Sequence, residues 1–229
     1  MRGMIATLAV VTLTAACEGP SAREPATPRA DTDTSAAREE AGIVLFLGTS
    51  LTAGYGVGEG AAFPALIQAK LDSAGLPYRV VNAGISGETS AGGLRRLDWS
   101  LQEPVAVLVL ELGANDGLRG LPVDELRANL ETIIRRTRER YPDVVVILAG
   151  MEAPRHFGDA YTSRFRRVFR DLARDHAAML VPFLLEGVAG DASLNQEDGI
   201  HPTVAGHEVM AENVWMVLEG VLREPTPQL

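Results

Sequence analysis

Between residues 43 and 222, short apolar runs alternate with longer segments whose apolar residues recur every three or four positions. The short runs are Ile43–Leu47, Tyr78–Asn82, Val105–Leu110, Val144–Leu148 and Met179–Phe183. Most are apolar throughout rather than alternating, the pattern of strands covered on both faces. Between them, Phe63, Leu66, Ile67 and Leu71 mark a helix that stops by Gly75-Leu76-Pro77, and Leu94, Leu97 and Leu101 mark a second that Pro104 ends. Pro122 opens a long helix with Val123, Leu126, Leu130, Ile133, Ile134 and Thr137 on its buried stripe, ended by Tyr141-Pro142. Phe165, Val168, Phe169 and Leu172 mark the next, and Met210, Val214, Val217, Leu218 and Val221 the closing one.

Strand and helix thus alternate along the chain, which predicts an α/β fold: a three-layer α/β/α sandwich around a five-stranded parallel sheet. Right-handed crossovers place helices on both faces. In such a sheet the carboxyl ends of the strands share one edge. The loops beginning at Gly48, Gly84, Gly113, Gly150 and Leu184 are therefore expected to open together there, where open α/β sheets place their ligands.

The residues before the first strand read differently. Arg2 precedes an apolar run from Met4 to Ala16, too short to span a bilayer, that ends in Ala15-Ala16-Cys17. This layout predicts an export signal over 1–17. Cys17 after small residues resembles a bacterial lipoprotein signal, with Cys17 the lipidated residue, although Thr14 stands where that pattern prefers an aliphatic side chain. The resemblance implies an exported, periplasmic or cell-envelope protein anchored to a membrane through Cys17; an ordinary signal peptide with an incidental cysteine is the plainer alternative. Residues 18–41, rich in Pro, Ala, Thr and charge, lack periodicity and are expected to form a flexible tether, with the folded domain occupying 42–229.

The chain has 229 residues, 46% hydrophobic, enough for one domain with a two-sided core. Its net charge of −9 argues against nucleic acid as the main partner. A single cysteine excludes an internal disulfide framework, and no zinc-binding pattern is present, so no metal or other cofactor is expected.

Candidate chemistry lies in the loops. Ser50 follows the first strand and is either a nucleophile or the cap of the next helix. A serine needs a base to take its proton. Of His156, His176, His201 and His207, only His201 combines a loop position with a carboxylate three residues earlier, in Asp198-Gly199-Ile200-His201. Asp198 either orients the ring or caps the turn. Acyl transfer also needs donors for an oxyanion, and the Ser50 N–H, the Gly84 N–H and the Asn115 amide are the candidates. As alternatives, Gly84 forms a tight turn and Asn115-Asp116-Gly117 a turn sequence.

Taken in order, Gly48-Thr49-Ser50-Leu51 with the following Thr52 to Gly56, Asn82-Ala83-Gly84-Ile85-Ser86-Gly87, Gly113-Ala114-Asn115-Asp116 and Asp198 to Pro202 resemble the GDSL or SGNH hydrolase superfamily. The resemblance covers about residues 43–222 and points to bacterial arylesterases and acyl-hydrolases with thioesterase and lysophospholipase activity. It implies a flavodoxin-like fold and a small acyl-ester substrate. It also implies Ser50 as nucleophile, His201 as base, Asp198 as its orienter, and Gly84 and Asn115 with the Ser50 N–H as oxyanion hole. Thr49 stands where the family usually has Asp. That Asp supports the loop rather than attacking, so Thr49→Asp is expected to change activity modestly.

Other readings fit less well. Gly54, Gly56 and Gly58 do not continue as a dinucleotide fingerprint, and Thr52 breaks the G-x-S-x-G of the larger hydrolase fold. A carbohydrate acetylesterase on the same scaffold and a catalytically inert surface binding protein are the remaining alternatives. Ile85, Leu118, Met151 and Phe157 are candidates for an apolar acyl groove.

Overall fold

In the computed structural model the described residues run from 42 to 223. The segments read from sequence as an export signal, with Cys17, and as a tether lie outside them. The strands are β1 (Gly42–Gly48), β2 (Tyr78–Gly84), β3 (Val105–Glu111), β4 (Val145–Ala149) and β5 (Met179–Val181). They form one sheet in the order β2-β1-β3-β4-β5, every neighbouring pair parallel. β5 is shorter than its apolar run because Pro182 has no N–H for the ladder.

The helices are α1 (Ser50–Ala53), α2 (Phe63–Ser73), α3 (Ser90–Arg95), α4 (Leu97–Ser100), α5 (Ala114–Leu118), α6 (Val123–Arg140), α7 (Asp159–Asp175) and α8 (Val204–Arg223). α2 packs against α8, while α6 packs against α3 and α7. The right-handed crossovers place these two groups on opposite faces of the sheet. The stripe of α6 is buried as its spacing predicts, and on α8 Leu222 joins Met210, Val214 and Leu218 in the core. Val217 and Val221 are half-buried against it. The helix predicted through Leu94, Leu97 and Leu101 is two short helices instead, broken at Arg96, whose φ of −100° and ψ of 7° leave the helical region. Arg96 is held there by its own side chain, which pairs with Glu88 and donates to the Gly48 and Ala83 carbonyls.

The chain leaves β1 toward β2 on one side and returns across it to β3 on the other. The strand order therefore reverses between β1 and β3, and a crevice opens above their carboxyl ends. Gly48 is in register with Gly84 of β2 and with Glu111 of β3. That register fixes what surrounds the loop after β1.

Candidate active site

Beyond Gly48 the chain enters α1 within two residues. Thr49 occupies the N-cap position and Ser50 the first helical one, so Ser50 does not cap the helix. The Ser50 N–H consequently has no intrahelical acceptor and is available to a ligand. Gly54 ends the turn at φ 73°, a left-handed conformation that suits glycine. Tyr55 N–H then donates to the Ser50 carbonyl at 3.0 Å.

From the far end of the sequence, the loop before α8 brings His201 to this serine: Nε2 lies 3.0 Å from Ser50 Oγ. Nδ1 lies 2.6 Å from Asp198 Oδ2. Asp198 Oδ1 accepts the N–H groups of Ile200 and His201, each at 3.0 Å. Capping the turn and orienting the ring are thus one arrangement, each oxygen serving one purpose. The bond from the His201 ring, followed by the two backbone bonds, lowers the Asp198 pKa to about 2. An ionised Asp198 keeps the proton on Nδ1 and leaves Nε2 to accept from the serine hydroxyl.

Two contacts hold this loop to the one carrying Ser50. The Tyr55 ring lies against the His201 ring, 4.5 Å between centroids. Gln196 Nε2 donates to the carbonyls of Tyr55, at 2.8 Å, and of Pro202, at 2.9 Å. Neither residue carries a local sequence signal, since the contacts span loops far apart in the chain.

The predicted oxyanion donors fare differently. Asn115 is the second residue of α5, above β3, and its Nδ2 donates one hydrogen to the Glu88 carbonyl at 3.0 Å, with no acceptor for the second among the described residues. Gly84 requires correction. Its N–H donates to Asn82 Oδ1 at 3.0 Å, and is therefore not available to an oxyanion. Gly84 is small for another reason: a Cβ there would lie 2.3 Å from the Ala53 nitrogen, so only glycine lets α1 pack on the end of β2. Gly87, three residues on, has φ 77°, a Cβ there would meet only Arg119 Nη2 at 3.8 Å, and its N–H makes no hydrogen bond to a described residue. Both glycines stand in Asn82-Ala83-Gly84-Ile85-Ser86-Gly87, and the choice between them rests on Asn82, which takes the first N–H.

A buried frame fixes these donors. Arg96 pairs with Glu88 and donates to the carbonyls of Gly48 at 3.2 Å and Ala83 at 2.7 Å, tying the ends of β1 and β2 to the Gly87 loop. Buried Asp116 accepts the Ser90 N–H at 2.8 Å and hydroxyl at 2.5 Å, tying that loop to α5. Beneath Ser50 lies Glu111, fully buried and bonded to Thr49 and Thr52. Burial outweighs those bonds and raises its pKa to about 7.

Other candidates sit apart. His207 is buried in α8 and accepts the Phe63 N–H at 3.2 Å; its burial, with the charge of His201, lowers its pKa to about 4. His176 lies 3.3 Å from Glu131, and His156 lies tilted against the Phe157 ring, 4.2 Å between centroids. Of the apolar groove candidates, Ile85 and Leu118 are exposed, Phe157 is half-buried against Tyr161, and Met151 belongs to the core. Tyr55 and Ile200 are further exposed apolar side chains on the loops that carry Ser50 and His201. Among the described residues no group of three or more His, Cys, Asp or Glu side chains is placed to hold a metal.

The chain is 42% identical over 180 residues to esterase TesA of Pseudomonas aeruginosa, spanning 78% of this chain and 89% of that protein. It is 37% identical over 178 residues to thioesterase 1/protease 1/lysophospholipase L1 of Escherichia coli K12, spanning 77% of this chain and 82% of that one. A crystal structure of TesA superposes with a TM-score of 0.75 at 42% identity, covering 78% of this chain and 99% of the other. Residues 46–209, which carry all four loops around Ser50, match the GDSL-like Lipase/Acylhydrolase family as a whole, and the chain belongs to that family.

Proposed function

We propose that this chain is a serine esterase that hydrolyses carboxylic esters through an acyl-enzyme on Ser50. The observation that carries the reading is the pair of contacts on one imidazole: His201 Nε2 at 3.0 Å from Ser50 Oγ, and Nδ1 at 2.6 Å from Asp198. As Ser50 Oγ attacks the ester carbonyl, His201 takes its proton and Asp198 steadies the imidazolium. Negative charge gathers on the former carbonyl oxygen, where the Ser50 N–H, the Gly87 N–H and the Asn115 amide supply donors. His201 then returns the proton to the leaving alkoxide. Water enters by the same relay and releases the acid.

Exposed Tyr55, Ile85 and Ile200 on the surrounding loops and Leu118 at the end of α5 favour an acyl chain over a sugar as the bound group. Thioesters and lysophospholipids, named for the Escherichia coli relative, share the acyl carbonyl and belong to the same reading. Hydrolysis of p-nitrophenyl esters from acetyl to octanoyl by the wild type and by Ser50→Ala tests it. The variant is expected to lose at least about a thousandfold in kcat, and the wild type to prefer the longer chains. Equal rates in the two proteins would overturn the esterase reading; a strong preference for acetylated sugars would favour a carbohydrate acetylesterase. Export and anchoring rest on residues 1–17 alone, and fractionation of cells expressing the full chain or Cys17→Ala tests them.

A further inference from the structure

A carboxyl group removed from water costs stability unless it gains something specific, and Glu111 is fully buried with no cationic partner among the described residues. Its bonds all go to one place. Oε2 accepts the Thr49 N–H at 2.8 Å, the Thr52 N–H at 3.2 Å and the Thr52 hydroxyl at 2.7 Å. Oε1 accepts the Thr49 hydroxyl at 3.0 Å. Thr49 and Thr52 bracket Ser50-Leu51, so one side chain holds both ends of the first turn of α1.

That turn needs an outside hold. A helix of four residues does not sustain itself, and the N–H groups of its cap and third positions have no intrahelical acceptor. No side chain within α1 caps it. Glu111 supplies both acceptors from the neighbouring strand, where the register sets it opposite Gly48. Gly48 makes room for it, since a Cβ at that position would lie 2.6 Å from Glu111 Oε2.

We propose that Glu111 is a positioning residue of the esterase site: its carboxyl group fixes the first turn of α1 and thereby aims the Ser50 hydroxyl at His201 and the Ser50 N–H at the oxyanion. This rests on the esterase reading above. The apolar side chains proposed to meet the acyl chain (Tyr55, Ile85, Leu118 and Ile200) lie outside the turn that Glu111 holds, so Glu111 acts on the chemical step and leaves binding of the acyl chain alone.

The test compares wild type, Ser50→Ala and Glu111→Gln for ester turnover and for the rate at which a fluorophosphonate labels Ser50. Glutamine keeps one acceptor but places an amide NH2 against donors. Glu111→Gln is expected to lose about ten- to a hundredfold in kcat and in labelling rate, with KM within about twofold. Recovery of much of that loss in Glu111→Asp, which restores the acceptor pair, is also expected. A folded Glu111→Gln with wild-type kcat and labelling, or one whose whole loss falls on KM, would overturn the proposal. If Glu111→Gln does not fold, Thr49→Val and Thr52→Val carry the same test, each removing one hydroxyl at nearly constant shape. A fall in kcat at constant KM in either supports the proposal, and wild-type kcat in both overturns it. Activity that survives Ser50→Ala refutes the esterase reading itself, an outcome distinct from a negative result at Glu111.

Discussion

Tyr55 faces His201 with ring centroids 4.5 Å apart and planes inclined by 39°. Half of Tyr55 remains exposed, so its ring forms a partial cover between the imidazole and solvent. An aromatic face favours a cation over a neutral ring, by about 0.5–1 kcal/mol at exposed sites. The contact should therefore strengthen as His201 takes the Ser50 proton. Tyr55→Phe keeps the face and is expected to retain kcat within about twofold, whereas Tyr55→Leu is expected to lose about two- to fivefold. Steady-state kinetics on a short-chain ester decides this, and a Leu variant as fast as wild type would refute the role.

Asp198 gives a sharper case because its two oxygens are engaged separately. In Asp198→Asn the side-chain oxygen can still accept the Ile200 and His201 N–H groups, so the loop should keep its shape. The amide nitrogen then faces Nδ1 as a donor and favours the tautomer with a proton on Nε2, which cannot take one from Ser50. A loss of about ten-thousandfold in kcat with an unchanged melting temperature is expected. A loss of activity that merely follows unfolding would count against it.

The sheet and the relay were legible in the sequence for different reasons. Continuous apolar runs such as Ile43–Leu47 and Val105–Leu110 have few other ways to be buried, and they became β1 and β3. Asp198 and His201 lie within one turn, where spacing alone limits the geometry. Glu111 was not legible, because it reads as the polar end of an apolar strand. Its importance comes from register with Gly48, a pairing between strands that local pattern does not encode. Gly84 and Gly87 were indistinguishable for a similar reason: what separates them is which N–H the Asn82 side chain captures. The break at Arg96 likewise depends on carbonyls of two strands and a carboxylate from another loop.

Thr49 now has a physical account. Its hydroxyl lies 3.0 and 3.1 Å from the two oxygens of Glu111, and the residue is fully buried. Thr49→Asp would set a second carboxyl group against the first, and two buried carboxylates so close share a proton rather than both ionise. Activity near pH 6 is expected to change by less than about tenfold, since no oxyanion donor is removed and loss of one costs about a hundredfold or more. Stability should fall more steeply than in the wild type as pH rises past 7, because the shared proton is then pulled away. Thermal melts from pH 5 to 9 check this; identical pH profiles for variant and wild type would contradict it.

Glu111 and His207 oppose one another in the pH dependence of folding. The Glu111 pKa is raised from 4.5 to about 7 by burial, so between those values the folded protein keeps a proton that the unfolded chain has released. Its stabilising effect is complete below pH 4.5 and is lost as pH rises through 7, a difference on the order of 3 kcal/mol. The His207 pKa is lowered from 6.5 to about 4, so on acidification through that window the unfolded chain takes up a proton that the buried ring refuses. The fold loses stability as pH falls there. The two slopes have opposite sign over nearly the same range, and the wild type should show a shallow profile between pH 4.5 and 7. Removing either group exposes the other. Glu111→Gln is expected to grow more stable as pH rises across the window, and His207→Asn to grow less stable. Urea unfolding at pH 4.5 and 7.5 measures both, and variants whose profiles stay parallel to the wild type would show that neither proton is held as described.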